Sequence, residues 1–319
     1  MIISGIFLLA FLTAGCGVRQ EISFADENIP AAAGAETEAF IIILDDNLEP
    51  PPEAAVPAGE ADQPEHFINP EGLTLETRIL TPAGYTRVAK EIGSFQGYLR
   101  RYEVKAAESP VLLYDGREKA NQSAHAAVFA MPVFDSDLQQ CADSIMRVYA
   151  EYFWSMGDYQ RIAFHLTNGF LMDYPSWRDG NRISVNGNHV EWVKKAGYDE
   201  SQNTFLSYLR CVMAYAGTLS LDEESTPVDI GAIAAGDMFI KGGSPGHCVM
   251  VADVAKDKEG NYCFLLAQGY MPAQEFHILK NPLHEEDPWY YTDELTYPLM
   301  TPEYVFQEGS LKRWSGFMN

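Results

Sequence analysis

Three residues in this chain are of types that together perform acyl transfer: Cys141, His247 and Gln268. A cysteine attacks carbonyl carbon only as its thiolate. The partial positive charge of a helix N-terminus favours that form, and a nearby imidazole takes the proton. Cys141 stands in the segment Leu138–Tyr152, whose apolar positions Leu138, Cys141, Ala142, Ile145, Val148, Tyr149 and Tyr152 recur at three and four and mark one buried helical stripe. With Asp135 or Ser136 as the cap, Cys141 lies about one turn into this helix, within range of its free N-terminal amides. His247 opens an apolar run, His247–Ala255, directly after the glycine-rich approach Gly242-Gly243-Ser244-Pro245-Gly246. A third polar group should orient the imidazole. With a turn centred near Lys258 or Glu259, antiparallel counting sets His247 opposite the stretch Gln268–Met271. Of these Gln268 and Tyr270 can hydrogen-bond, and Gln268 is the expected partner.

The elements that must carry these groups are legible in outline. Strands are predicted at Leu75–Leu80, Tyr85–Val88, Val111–Tyr114 and Ala124–Phe129, and a short helix starts from Ser94. The cysteine helix runs to about Trp154. Short strands at Arg182–Val185 and His189–Val193 follow, then a helix over Ser201–Ala216 with Phe205, Leu209, Val212 and Met213 inward. Strands at Met238–Lys241, His247–Ala255 and Tyr262–Gln268 come last, the latter two joined around Asp257–Asn261. Strands, a buried helix, an inserted stretch and a terminal antiparallel sheet make an α+β domain rather than an alternating one. It occupies residues 73–319, roughly 245 positions, enough for one sizeable core.

Residues before that domain are of a different kind. Ile2–Ala14 is almost wholly apolar, too short to span a bilayer, and ends in Leu12-Thr13-Ala14-Gly15-Cys16. Residues 1–16 thus resemble a bacterial lipoprotein signal, which implies cleavage before Cys16, lipidation of its sulfur, and an exported protein anchored to the cell membrane or outer membrane. Residues 17–72 form an acidic, Pro/Ala-rich linker expected to be mostly disordered. From Gly17 to Glu76 there are 14 acidic residues against the single Arg19, within a chain of net charge −23. Such a segment repels itself and holds a domain away from the membrane. Phe40–Leu44 is an apolar interruption to which no role is assigned. The acidic balance and lack of a basic block argue against nucleic-acid binding.

The remaining thiols are Cys211, Cys248 and Cys263, with no Cys-x-x-Cys pair. His125, His165, His189, His277 and His284 have no metal spacing, so neither a metal nor a cofactor is expected. In an exported protein Cys248 and Cys263 are the pair to watch for a disulfide, although the hairpin register does not set them opposite each other.

A cysteine opening a helix as CADSIMRV, followed by GD-hydrophobic, GH-hydrophobic and polar-ended strands, is similar to the NlpC and CHAP branch of papain-like hydrolases. That resemblance implies a helix packed on an antiparallel sheet and a cysteine amidase or peptidase, many of which act on peptidoglycan. It makes Cys141 nucleophile, His247 base and Gln268 the orienting residue. The separation of 106 positions from Cys141 to His247 exceeds the usual spacing, and Gln140 stands where aspartate is common. Over Ser94–Pro282 the segments SFQGYLR, LLYDG, LQQCAD, YAGTLSL, GDMFIKGGSPGH and LAQGYMPAQEFHILKNP more closely resemble a family of bacterial envelope lipoproteins known only as a domain of unknown function. No activity follows from that likeness.

Plainer readings stand beside these. Free cysteine is among the most buried residue types, and a strand-opening histidine is often satisfied by a backbone carbonyl. The glycine-rich loop and the pair Gln139 and Gln140 are candidate oxyanion donors, with a tight turn and helix surface as their structural alternatives. Trp177, Trp192, Trp289, Tyr290 and Tyr291 could stack on a sugar or peptide, but core packing is the stronger expectation. The leading function is a thiol hydrolase on cell-wall peptide. The alternative is a catalytically silent envelope protein that binds glycan or a protein partner, and a third reading is an acyltransferase with a non-water acceptor.

Overall fold

The computed structural model describes residues 66–91 and 93–317. The lipoprotein signal with Cys16, the segment Phe40–Leu44 and nearly all of the acidic stretch lie outside the described residues. The helices are α1 (Leu75–Arg78), α2 (Phe95–Arg101), α3 (Cys141–Ser155), α4 (Tyr174–Arg178), α5 (Gln202–Tyr215) and α6 (Thr218–Glu223). In the first half the strands are β1 (Thr86–Arg87), β2 (His125–Val128), β3 (Ala163–His165), β4 (Leu171–Asp173), β5 (Asn181–Asn186), β6 (His189–Lys194) and β7 (Ser225–Pro227). They are followed by β8 (Met238–Lys241), β9 (His247–Lys256), β10 (Tyr262–Gln268), β11 (His277–Leu279), β12 (Tyr290–Tyr291), β13 (Leu299–Met300), β14 (Val305–Phe306) and β15 (Leu311–Trp314). The class is α+β, as the element order in the sequence implies.

Its frame is a nine-stranded antiparallel sheet in the order β2-β11-β10-β9-β8-β15-β7, with β1 paired to β9 and β12 to β10. The centre is β9, buried along nearly its whole length. Its two faces feed two cores. Cys248, Met250, Ala252 and Ala255 pack with α3 and α5, whereas Val249, Val251 and Val254 pack with Leu299, Phe306 and Leu311. A strand buried on both faces reads as continuous apolar residues rather than as an alternation, and this one does.

Ala252 is a β-bulge. Leu265 pairs with Asp253 and Leu266 with Val251, so Ala252 has no partner on β10. Beyond the bulge, Ala267 lies opposite Met250, and continuing that register brings Tyr270 opposite His247. Side chains alternate along each strand, so Gln268 shares the face of Phe264 and Leu266, which is also the face of Val249 and His247. Were the ladder regular through Ala252, His247 and Gln268 would point to opposite sides.

Two predicted elements differ. Leu75–Leu80 alternates like a strand but forms α1, because Thr74 and Thr77 cap each other: Thr74 N–H donates to Thr77 Oγ1 at 3.0 Å and Thr77 N–H to Thr74 Oγ1 at 3.4 Å. Burial of Leu75, Arg78 and Ile79 then follows helical spacing, and Leu73 is left exposed. Val111–Tyr114 makes only isolated bridges, Leu112 to Glu118 and Leu113 to Gln274. Residues before Leu73 also join the body: Ile68 bridges Ile79, and Leu80 N–H donates to Phe67 O at 2.8 Å.

Candidate functional site

Helix α3 starts at Cys141 itself, with Gln140 as its N-cap, rather than at Asp135 or Ser136. The acidic side chains upstream are engaged elsewhere. Asp137 Oδ1 accepts from Ala273 N–H at 2.6 Å, and Asp135 pairs with Arg210 at 2.8 Å. Asp143, in the first turn, accepts from Gln140 N–H at 3.0 Å and so fixes the start one turn later. Cys141 is therefore the first helical residue, where the end charge of the helix acts most strongly on its sulfur.

The structure brings Cys141, His247 and Gln268 to one end of the central strands. Cys141 keeps 7 % of its surface, His247 3 % and Gln268 none. The sulfur is held well below the ordinary thiol pKa. The first cause is hydrogen bonding from the Cys248 thiol; the His247 imidazole adds a hydrogen bond and charge, and the Cys248 backbone contributes, against the opposing effect of burial. Cys248, fully buried one residue after His247, is pushed well above its ordinary value by burial and by Cys141 itself. The two neighbouring thiols are thus shifted in opposite directions, down at the helix terminus and up at the deeper position. Burial, then the Cys141 charge, raises the Asp143 carboxyl well above the usual range.

His247 Nε2 and Gln268 Oε1 are 2.8 Å apart. The ring is also enclosed by Tyr270, Tyr304 and Phe306, with centroids at 4.8, 4.9 and 6.0 Å. Two residues before the cysteine, Gln139 is fully buried; its Oε1 accepts from Arg147 Nη1 at 2.7 Å while its Nε2 has no partner. Gln140 is half-buried and donates through Nε2 to Asp137 Oδ1 at 3.2 Å.

Several polar residues of this neighbourhood were not signalled by the sequence. Behind Gln268 stand Glu303, Lys119 and His277. Glu303 Oε2 accepts from Gln268 Nε2 at 2.7 Å and from Lys119 Nζ at 2.5 Å. Lys119 lies between Leu112–Leu113 and β2, and Glu303 lies in the β13–β14 turn, so only the folded sheet joins them. His277 carried one readable signal: it stands between Phe276 and Ile278 on a short apolar stretch, a buried histidine in a strand.

The predicted aromatic group disperses. Trp177, Trp289 and Tyr290 are buried in the cores, Trp289 Nε1 donates to Leu80 O at 2.8 Å, and Trp192 packs on Phe170 with centroids 5.6 Å apart. Cys141, Cys211, Cys248 and Cys263 are all free thiols, and Cys263 sits opposite Ala255, at the far end of the hairpin from Cys248. Among the described residues no group of three His, Cys, Asp or Glu could hold a metal ion. No described helix is long and apolar enough to cross a membrane.

Neither a curated protein nor a solved structure matches the chain. A family model does, over residues 75–313, a span that includes Cys141, Gln268, Glu303 and both sheet faces around His247. The chain belongs to the family described as domain of unknown function 4846.

Proposed function

We propose that this chain is a membrane-tethered bacterial lipoprotein whose domain is a thiol hydrolase of the amidase or peptidase class, with a papain-like arrangement, acting on cell-wall peptide. One arrangement supports it above the rest: a cysteine that opens a helix and a histidine whose Nε2 is held by a side-chain amide meet at one end of the central strands, and the imidazole contributes to lowering the thiol. Core packing alone requires neither the depressed thiol nor the polar string behind it, because a structural cysteine buried in apolar surroundings shifts the opposite way. Cys211 does so, pushed up to about 12 by burial.

In the proposed reaction the Cys141 thiolate adds to the carbonyl carbon of an amide, and the buried amide of Gln139 is the candidate donor to the developing oxyanion. His247 delivers its proton to the leaving nitrogen as the carbon–nitrogen bond breaks, which leaves an acyl-thioester on Cys141. His247 then takes a proton from water as the oxygen attacks the thioester. Carboxylic acid is released and the thiolate returns. Gln268 holds the ring throughout.

Iodoacetamide alkylation followed by peptide mass mapping tests the reading. Near pH 7 Cys141 is expected to react at least about 10-fold faster than Cys211, Cys248 or Cys263, because its thiolate fraction is the larger. His247→Ala should slow Cys141 by roughly 10-fold while the slow thiols are unaffected. Equal rates at Cys141 and Cys211, indifferent to His247→Ala, sink the hydrolase. Anchoring has its own test: Cys16→Ser should move the exported protein from the membrane to the soluble fraction.

The 7 % exposure of Cys141 favours a second reading, a catalytically silent envelope protein that binds glycan or a partner. It predicts a Cys141 that alkylates no faster than the core thiols.

A further inference from the structure

Gln268 is an amide, and an amide can present either end to a histidine. Which end it presents decides which imidazole nitrogen bears the proton. The surroundings of Gln268 settle the matter without reference to His247.

On its far side stand two acceptors. The first is the Glu303 carboxylate, 2.7 Å from Gln268 Nε2. The second is His277. This ring is fully buried, and its Nδ1 is 2.8 Å from the carbonyl oxygen of Glu275, so Nδ1 must carry the hydrogen. Burial, and then the charge of Lys119, hold His277 well below the ordinary histidine pKa, so it is neutral and its Nε2 is a bare acceptor. That Nε2 lies 3.5 Å from Gln268 Nε2 and 3.5 Å from Lys119 Nζ, both donors. The NH2 end of Gln268 therefore faces Glu303 and His277, and its oxygen faces His247.

We infer that Glu303, with His277, is a positioning residue that fixes the Gln268 amide so that His247 keeps a proton on Nε2 and leaves Nδ1 as the nitrogen that exchanges its proton with Cys141. The inference rests on the reading of His247 as the base of Cys141, and it explains how a third residue without charge can serve that base. Glu303 itself is held in place. Its Oε1 accepts from Asn121 Nδ2 at 3.2 Å, its turn is pinned by Tyr304 N–H donating to Thr301 Oγ1 at 3.0 Å, and Lys119 balances its charge inside the protein. Since Lys119 neutralises Glu303, the carboxylate contributes direction rather than net charge.

The measurement is nitrogen NMR of the full chain labelled with 15N-histidine, in a Cys141→Ala background that removes the thiolate, recorded at alkaline pH so that the tautomer is directly readable. The Nε2–H tautomer is expected with Glu303 in place. Adding Glu303→Ala frees the amide to rotate, and the Nδ1–H form should become the major one. Glu303→Gln retains a carbonyl that can accept from Gln268 Nε2, so it should restore Nε2–H. With Cys141 present, Glu303→Ala should slow its alkylation by roughly 10-fold and Glu303→Gln by much less. If Glu303→Ala does not fold, because Lys119 is left buried and unpaired, the joint replacement Lys119→Met with Glu303→Leu removes the ion pair at similar volume and predicts the same gain of Nδ1–H. Retention of Nε2–H without Glu303, or Nδ1–H in its presence, overturns the inference. The tautomer and the selective reactivity of Cys141 are separate readouts, so either idea can fail while the other stands.

Discussion

Replacing Asp253 by alanine is expected to lower the free energy of unfolding by about 3–5 kcal/mol. Asp253 follows the bulge on the central strand and is fully buried. Arg100 Nε donates to Oδ1 at 2.7 Å and Arg87 Nε to Oδ2 at 2.6 Å. The same guanidinium groups reach onward: Arg100 Nη1 donates to Val88 O at 2.8 Å, and Arg87 Nη2 to Ile79 O at 2.5 Å. One carboxylate thus binds β1 and α2 to the middle of the sheet. Its loss strands the buried Arg100 and the partly exposed Arg87, and the penalty at Arg100, rather than the strength of the original pair, sets the size of the effect. Denaturant unfolding followed by fluorescence measures it. A triple change, Asp253→Leu with Arg87→Met and Arg100→Met, should recover most of the loss, because apolar packing can replace a buried ion network. A change below about 0.5 kcal/mol for Asp253→Ala, the level of an ordinary surface substitution, would show that the two arginines find water in the folded protein.

Gly246→Ala is expected to cost about 1–3 kcal/mol and to slow Cys141 alkylation by up to roughly 10-fold, the effect of losing the imidazole altogether. A Cβ at Gly246 would stand 2.3 Å from Gly243 O, 2.5 Å from Thr218 Oγ1 and 2.7 Å from Lys241 O. Two of these are backbone atoms, so no rotamer relieves the contact and the loop must move. Thr218, at the start of α6, donates to Gly243 O at 3.1 Å and closes the loop from the other side. The next residue is His247. A displacement of the loop is therefore transmitted directly to the imidazole, whereas Gly243→Ala, where a Cβ meets nothing within 4 Å, should cost only its backbone strain at a positive φ. Thermal unfolding and alkylation of both variants separate the two effects. Unchanged alkylation in Gly246→Ala would mean that the loop does not hold His247.

How much of this was legible depended on whether the cause was local. The stripe of α3 and the β9–β10 hairpin follow from apolar spacing along contiguous residues, and both were readable. The start of α3 was not, because Asp135 and Ser136 offered an earlier cap, whereas Arg210 draws off Asp135 and Ala273 draws off Asp137, both far away in sequence. Counting across the hairpin reached the right neighbourhood, Gln268 to Tyr270. Which face Gln268 takes depends on the unpaired Ala252, and nothing in a run of buried apolar residues marks a bulge. Lys119, His277 and Glu303 are brought to Gln268 by three different strand connections. Each looks like an ordinary polar residue in a loop or short strand until the sheet closes around it.

The separation of 106 positions from Cys141 to His247 also has a meaning in time. Helix α3 can form from its own sequence, but the groups that depress its thiol, Cys248 and the imidazole, arrive only when β9 enters the sheet. A chain still being made therefore carries Cys141 as an ordinary, slow thiol. The reactivity proposed for Cys141 is switched on by completion of the fold, so in a refolding experiment the onset of fast alkylation dates the assembly of the central strands.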